Sequence, residues 1–465
     1  MTTASEYTRV PIELLRKYDR PGPRYTSYPT VPVWSNEVGV AQYREALQAA
    51  SAQVNTPLAL YCHIPFCRKR CYYCGCNTVV TQHRERVDSY VANITAEIKN
   101  TAALLGARRQ VSQLHLGGGT PTFLDCRGME IVFSAVAAHF EFAPGCEKSI
   151  EVDPRVTTDE QLEFLAKSGF NRISIGTQDF DPNVQEAIGR IQSFAAVEHI
   201  ITQSRALGFR GINLDLIYGL PKQTVASFAE TIRQALTLRP DRVAMYSFAY
   251  LPQSMPHQSV IHASDLPVTE VKYQLFATAV EEFTKAGYRQ IGIDHFALPE
   301  DELSLAQQDG RLHRNFMGYT VQSAPEMIGF GMSAIGYVNN AFFQNTSKLD
   351  SYEKALAEHG FAVYRGLNLT RDDLIRQYVI SQLMCNFRLH YLALEELLQV
   401  HYQDYFATEH QRLEPFVGDG LMTHDECGLQ ITPVGRTFVR NIAMTFDAYL
   451  DENGESKGVR FSRTI

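Results

Sequence analysis

Residues 61–77 read YCHIPFCRKRCYYCGCN and hold five of the chain's nine cysteines: Cys62, Cys67, Cys71, Cys74 and Cys76. Cys67, Cys71 and Cys74 fall at the spacing C-x3-C-x2-C. A short irregular loop with that spacing turns three thiolates inward around one centre. Four thiolates would close an iron–sulfur cube, whereas three leave one iron without a protein ligand. Such an iron is free to bind and polarise a small molecule, which makes the site catalytic as well as electron-carrying. Zinc also takes C-x2-C pairs, and a run of buried free cysteines is a third reading; spacing alone leaves all three open. Position adds to spacing. The loop follows LALYCHI, an apolar run ending at Pro65, and so reads as a functional loop fed by a strand. Cys62 lies inside that strand and Cys76 would need a cramped C-x-C bite with Cys74, so neither is expected to be a ligand.

Outward from this loop the same strand signal repeats: SQLHLGGG, KSIEVDP, NRISIGTQ, GINLDLIYG and RVAMYSFAY. Amphipathic stretches such as VDSYVANITAEIKNTAALL, DEQLEFLAKSG and VEHIITQSRALGFR lie between them, with Gly169 and Gly208 placed as helix C-cap glycines. Continuous apolar strands alternating with helices predict a parallel sheet buried on both faces. Six such units give an α/β fold, a partial (β/α)6 barrel over residues 51–345, with its chemistry at the strand C-terminal ends. PEMIGFGMSAIGYV, residues 325–338, is expected to close it.

The strand ends carry polar groups. SQLHL runs into Gly117, Gly118, Gly119, Thr120 and Pro121, whose missing side chains let backbone approach a ligand and leave N–H and C=O groups for an amino acid moiety. The dinucleotide spacing G-x-G-x-x-G is absent. Glu151, Gln178 and Asp215 are read as ending the next three strands, facing one mouth.

Residues 1–50, with PGPRYTSYPTVPVW, read as an extended N-terminal arm, a strap across the barrel. Residues 350–452 form a mainly helical C-terminal domain: RDDLIRQYVISQLMCNFRL and LALEELLQVHYQDYFA read as helices, and GLMTHDECGLQITPVGRTFVRNIAMTF as a winged-helix-like unit. The tail, 453–465, reads as unstructured.

Net charge is −8, with 43 basic against 51 acidic residues, so a protein-wide basic field for nucleic acid is absent. No apolar run approaches the ~18 residues that span a bilayer. An odd number of cysteines, five of them in one loop, argues against a disulfide framework and for a reducing cytoplasm.

The cysteine loop, GGGTP and Glu151 together resemble the radical S-adenosylmethionine (SAM) enzymes. Within that superfamily the chain is similar to the oxygen-independent coproporphyrinogen III oxidases through PRYTSYPT, YCHIPFCRKRCYYCGCN, LGGGTPT, IEVDPR, ISIGTQDF, LDLIYGLPKQT, IGIDHFA, LHRNFMGYTV and ISQLMCNFRL. Haem-handling paralogues share the barrel motifs but lack the PRYTSYP arm and the CGC extension. The resemblance implies conversion of two propionates of coproporphyrinogen III to vinyl groups, giving protoporphyrinogen IX and carbon dioxide. A propionate β-carbon is too weakly acidic for a side-chain base. A 5′-deoxyadenosyl radical, formed when a [4Fe–4S] cluster reduces SAM, removes the hydrogen atom instead.

By the same resemblance Cys67, Cys71 and Cys74 hold the cluster, and Tyr61, Gly118, Glu151 and Ile335 contact the SAM on its open iron. A second SAM is met by Tyr73, Gly119, Thr120, Gln178, Arg190, Asp215 and Ala249, Tyr73 standing where the family has phenylalanine. An alternative for Arg190 and Asp215 is a structural ion pair with each other. Arg24 is suited to a bidentate grip on a substrate propionate, with the arm closed over the mouth. The implied partners are coproporphyrinogen III and an electron donor such as flavodoxin or ferredoxin, with no nucleic acid, no membrane and a monomeric state. The rival from another class is a zinc-loop protein with a partner-binding winged helix.

Overall fold

Six apolar strands lie side by side and parallel in chain order: β1 (Leu58–Ile64), β2 (Gln110–Gly118), β3 (Glu141–Val152), β4 (Arg172–Gln178), β5 (Gly211–Tyr218) and β6 (Arg242–Ser247). The computed structural model describes residues 10–321, 324–450 and 461–464. Each strand is followed by a returning helix: α1 (Arg84–Leu105), α2 (Cys126–His139), α3 (Asp159–Lys167), α4 (Phe194–Ala206), α5 (Val225–Thr237) and α6 (Thr269–Lys285). Thr158 and Thr224 cap α3 and α5 through their hydroxyls, and Gly169 and Gly208 take positive φ just past α3 and α4, as their sequence positions foretell.

The sheet continues beyond the six units. On one side come β8 (His295–Ala297) and β7 (Arg289–Ile291), both antiparallel. On the other, β9 (Glu326–Phe330) pairs parallel with β1, and β10 (Ile335–Val338), β11 (Ala341–Asn345) and β12 (Val363–Asn368) follow antiparallel. Twelve strands thus form one sheet, ordered β12-β11-β10-β9-β1-β2-β3-β4-β5-β6-β8-β7. Gln113, Glu147, Asp215, Tyr246 and His295 line one interior cavity of about 120 Å³, so the sheet curls around it.

Leu60, Leu114, Ile150, Ile173, Leu214 and Val243 of the strands pack with Ile94, Val132, Leu162, Ile200 and Ile232 of the helices in the main core. Ionisable side chains are buried with it, among them Glu97, Arg108 and Asp179. Glu97 of α1, 1% exposed, accepts hydrogen bonds from Gly331 N (2.8 Å), Tyr352 Oη (2.7 Å) and Asn345 Nδ2 (2.7 Å). It ties α1 to the β9–β10 turn, to β11 and to α7 (Leu349–His359).

A second core joins Val10, Leu15, Tyr18, Tyr25 and Tyr28 to Ile380, Leu383, Phe406, Phe438 and Phe446. Residues 1–9 of the expected arm lie outside the described residues, and residues 10–50 are therefore more than an extended arm. They form helices at Ile12–Tyr18 and Val40–Ala50, because Leu15 and Tyr18, then Tyr43, Ala46, Leu47 and Ala50, each make one apolar face that a neighbouring core covers. LALEELLQVHYQDYFA is not one helix: Tyr391–Leu398 stops where Gln399 turns left-handed (φ 55°), and Tyr402–Tyr405 is separate. The end of the tail is ordered: Arg463 pairs with Pro21, and the Thr464 hydroxyl donates to Tyr18 O (3.0 Å). The rest of the expected unstructured tail, 453–460, lies outside the described residues.

Burial pushes the Glu97 carboxyl up to about 7, against the bonds it accepts. The folded protein then keeps a proton that the unfolded chain releases from roughly pH 4.3, so wild-type stability should fall as pH rises through about 7. Glu97→Gln lacks that fall. Melting curves at pH 5 and pH 8 should show the variant gaining on the wild type at the higher pH, and a constant gap would refute the assignment. Glu97→Ala strands its three donors and should cost roughly 2–4 kcal/mol at either pH.

Candidate active site

The cysteine loop leaves β1 at the C-terminal end of the parallel strands. His63 pins both ends of it: Nδ1 accepts from Tyr61 Oη (2.9 Å) and Nε2 donates to Asn77 O (3.0 Å). Arg70 closes the loop on itself through Thr78, Nε to Oγ1 (3.1 Å) and Nη2 to O (2.5 Å). Three outside contacts complete its fixing: Tyr72 N to Ile188 O (2.9 Å), His257 Nε2 to Cys74 O (2.7 Å) and Gln258 Nε2 to Tyr73 O (3.2 Å). Cys67, Cys71 and Cys74 face a cavity of about 540 Å³. Cys62 is fully buried in the main core, with its thiol pushed up by burial. Cys76 does reach the cavity, where its hydrogen bond with Cys74 lowers the Cys74 thiol to about 7.

The glycine loop braces the cysteine loop. Gly119 N donates to Ile64 O (2.8 Å) and Thr120 N to Phe66 O (2.9 Å), while the Thr120 hydroxyl lies 3.5 Å from Cys67 Sγ. A Cβ at Gly119 would sit 2.5 Å from Pro65 O, and one at Gly118 (φ 119°) would sit 2.7 Å from the His63 ring. The expectation of N–H groups left free for a ligand is thus corrected at these positions. Close packing of two backbones uses them up.

Glu151 is held charged. Burial works against it, but His115 (3.5 Å) and Gly118 N (3.0 Å) outweigh the burial and keep its carboxyl below the usual range. Asp215 goes the other way. Burial and the nearby Glu151 charge push it up to about 7, although Ser174 Oγ (3.1 Å) and Asn213 Nδ2 (2.8 Å) donate to it. Asp215 stands within β5, which runs on to Tyr218, so it is an inward-facing strand residue and not a strand end.

Arg190 does not pair with Asp215. Its Nη1 bonds Asp153 Oδ2 (3.0 Å), its Nη2 bonds Gly176 O (2.5 Å), and its buried Nε has no partner among the described residues. Arg155 shares Asp153 (2.6 Å), and the two guanidiniums come within 3.7 and 3.8 Å of Cys71 Sγ. The cavity gathers Tyr73, Gly118, Gly119, Thr120, Glu151, Gln178, Arg190, Asp215 and Ala249 around the three cysteines. Tyr61 and Ile335 do not line it. Tyr61 stacks on His115 and stands opposite Gly329 of β9, and the Ile335 carbonyl packs against that same Gly329. Arg24 lies at a neighbouring, smaller cavity, its Nη2 on Ser247 O (2.9 Å) at the end of β6.

Asp153 and Arg155 escaped the sequence reading although IEVDPR places them at the same strand end as Glu151. The rule that singled out Glu151 applies to them equally. His257 and Gln258 carry no such signal, because the loop atoms they hold are main-chain oxygens, and neither does His63, whose second partner is the Asn77 carbonyl.

Three thiols on one wall, two guanidiniums against one of them, and open space beyond suit a cluster with three protein ligands and one free iron. Thiolate charge finds compensation there. The radical SAM superfamily model matches residues 61–235, and the model of the HemN C-terminal domain matches residues 369–438. Fold and site together define a radical SAM protein, a class that carries a [4Fe–4S] cluster and SAM. Within it, this chain belongs to the oxygen-independent coproporphyrinogen III oxidase family. It is 43% identical to the members from Salmonella typhimurium and Escherichia coli, over 98% of this chain and of each of theirs. It is 41% identical to the one from Synechocystis over 100% of both. The solved coproporphyrinogen III oxidase of Escherichia coli, a radical SAM enzyme, superposes with a TM-score of 0.90 at 41% identity, covering 96% of this chain and 100% of that one.

Serine at Cys67, Cys71 or Cys74 should abolish iron binding in protein purified without oxygen. Cys62→Ser and Cys76→Ser should keep the brown colour and the iron content of the wild type. Loss of iron in Cys62→Ser would overturn the ligand assignment.

Proposed function

We propose that this chain converts two propionate side chains of coproporphyrinogen III to vinyl groups without oxygen, giving protoporphyrinogen IX. The observation that carries this is the set of Cys67, Cys71 and Cys74 facing Glu151, Arg190 and Asp215 across one cavity of about 540 Å³. When bound there, the cluster and SAM supply a carbon radical able to take a hydrogen atom from an unactivated carbon. Every other task falls to the chain.

Cys67, Cys71 and Cys74 hold the cluster, and Arg155 and Arg190 offset the negative charge of Cys71. Gly118 and Glu151 meet the SAM on the open iron: Glu151, kept ionised by His115 and Gly118 N, accepts from ribose hydroxyls. Tyr61 acts through His63, which fixes the loop, and Ile335 through the strand pair that backs Tyr61. A second SAM at Tyr73, Gly119, Thr120, Gln178, Arg190, Asp215 and Ala249 is supported by two features. The buried Nε of Arg190 has no partner among the described residues, and the Asp215 carboxyl is pushed up to about 7. The first suits a carboxylate and the second a hydroxyl or ammonium. Two propionates need two hydrogen abstractions, which gives the second molecule a use. Phe123, Ile217, Tyr246 and Phe248 on the cavity wall reduce the water a radical there would meet.

On the same reading the electron donor is a small redox protein such as flavodoxin or ferredoxin, and the chain acts as a cytoplasmic monomer. No helix among the described residues is long and apolar enough to cross a membrane.

Anaerobic incubation with SAM, a reductant and coproporphyrinogen III should yield protoporphyrinogen. Absence of product with an intact cluster would favour a haem-handling paralogue. Asp215→Asn and Arg190→Ala should keep iron and bind one SAM, yet form product about 100-fold more slowly or not at all. Normal rates in both would remove the second SAM from these residues.

A further inference from the structure

Beside the main cavity lies a smaller one, of about 60 Å³, closed by the arm, the start of α6 and the C-terminal domain. Its walls carry four cations, Arg24, Lys272, Arg436 and Arg440, against one carboxylate, Asp294. That carboxylate is already engaged: His295 Nδ1 lies 2.7 Å away and Arg314 at 3.9 Å. Among the described residues no carboxylate comes within ion-pair distance of Arg24, Lys272 or Arg440.

These three instead face carbonyl oxygens. Arg440, 7% exposed, spends its guanidinium on Gly22, Pro23 and Arg463. Arg24 has one carbonyl, Ser247 O at 2.9 Å, and Lys272 has one at 3.4 Å, Phe248 O. Burial, together with the charges of Arg24 and Arg440, lowers the Lys272 ammonium to about 8. Like charges gathered out of water repel and are costly unless an anion joins them. Arg440 has a structural use for its charge, since it clasps the arm to the chain's far end. Arg24 and Lys272 have donors left over.

Ser247, the last residue of β6, lines both cavities. A ligand filling the larger one therefore needs only a short side arm to reach past Ser247 to the cations. A water needs roughly 10–15 Å³, so this space takes a carboxyl group and not a ring. We infer that the cavity of Arg24, Lys272 and Arg440 is a carboxylate subsite, and that it anchors a propionate of the substrate which is not being decarboxylated. This rests on the reading under Proposed function for the substrate's identity. The geometry favours a spectator carboxylate over a reacting one. Ion pairing to two cations stabilises the ionised ground state and would oppose release of carbon dioxide from that group. It fixes instead where the rest of the macrocycle lies, and so which β-carbon faces the radical source.

The test uses full-length protein with its cluster reconstituted anaerobically, as wild type, Arg24→Gln, Lys272→Gln and Lys272→Arg. Iron content and melting temperature are recorded for each. Two readouts follow: kcat and KM for coproporphyrinogen III, and equilibrium binding of the fluorescent coproporphyrin III against its tetramethyl ester, without SAM. Both Gln variants should raise KM and the coproporphyrin Kd by about 10–100-fold with iron unchanged. Lys272→Arg should restore most of the affinity, and the ester should bind wild type and variants equally weakly. Values within twofold of wild type in both Gln variants would overturn the subsite, as would a Lys272→Arg protein no better than Lys272→Gln. If the wild type makes no protoporphyrinogen but the Gln variants still lose coproporphyrin, the reaction reading fails and the carboxylate subsite stands.

Discussion

Everything in the active cavity depends on how closely two backbones touch. At Gly119 the glycine loop meets the carbonyl of Pro65 so tightly that a single methyl would lie 2.5 Å from the oxygen. That contact lets Gly119 N and Thr120 N reach the carbonyls of Ile64 and Phe66, which sets the direction in which the chain leaves β1. The three cysteines follow within ten residues. The side chains of His63, Arg70, His257 and Gln258 add to this hold, each at the cost of its own rotamers. Hydrogen bonds between main-chain atoms carry no such cost. The sulfur positions are therefore set by the sheet itself.

The charges around the cavity are arranged in the same spirit. Asp153 is shared by Arg155 and Arg190, which turns two cations toward Cys71 without leaving either of them uncompensated. Glu151 and Asp215 face one space, yet one is kept ionised by His115 and Gly118 while the other is driven toward the neutral acid. Two carboxyls held in different protonation states can accept from one ligand group and donate to another. Separation of that kind is how a small cavity tells apart the ends of a polar molecule.

Much of this was legible in the sequence because it rests on periodicity. The six β/α units come from alternating apolar runs, the C-cap glycines from their offsets, and the cysteine loop from its position after LALYCHI. Less legible was anything that depends on partners far apart along the chain. Glu97 looks like a surface residue on an amphipathic helix, and nothing near it announces Tyr352 or Asn345. Asp215 reads as a strand end because IYG follows closely, but the strand continues to Tyr218. The first fifty residues read as extended because prolines and tyrosines dominate PGPRYTSYPT. The faces that make them helical on either side are matched to two different cores.

The interlocking of the chain's two ends sets an order of assembly. Tyr25 bonds to Asp447, 422 residues later, and Arg440 grips the carbonyls of Gly22, Pro23 and Arg463 together. Residues 10–28 thus lack most of their core until the C-terminal domain exists. The sheet and the cysteine loop draw on residues no later than Asn368, so they can form before that. During biosynthesis there is consequently an interval in which the loop is built but the wall formed by Arg24 and the C-terminal domain is not. The larger cavity takes none of its lining from that late seam, so loading of its centre need not wait for the seam to close.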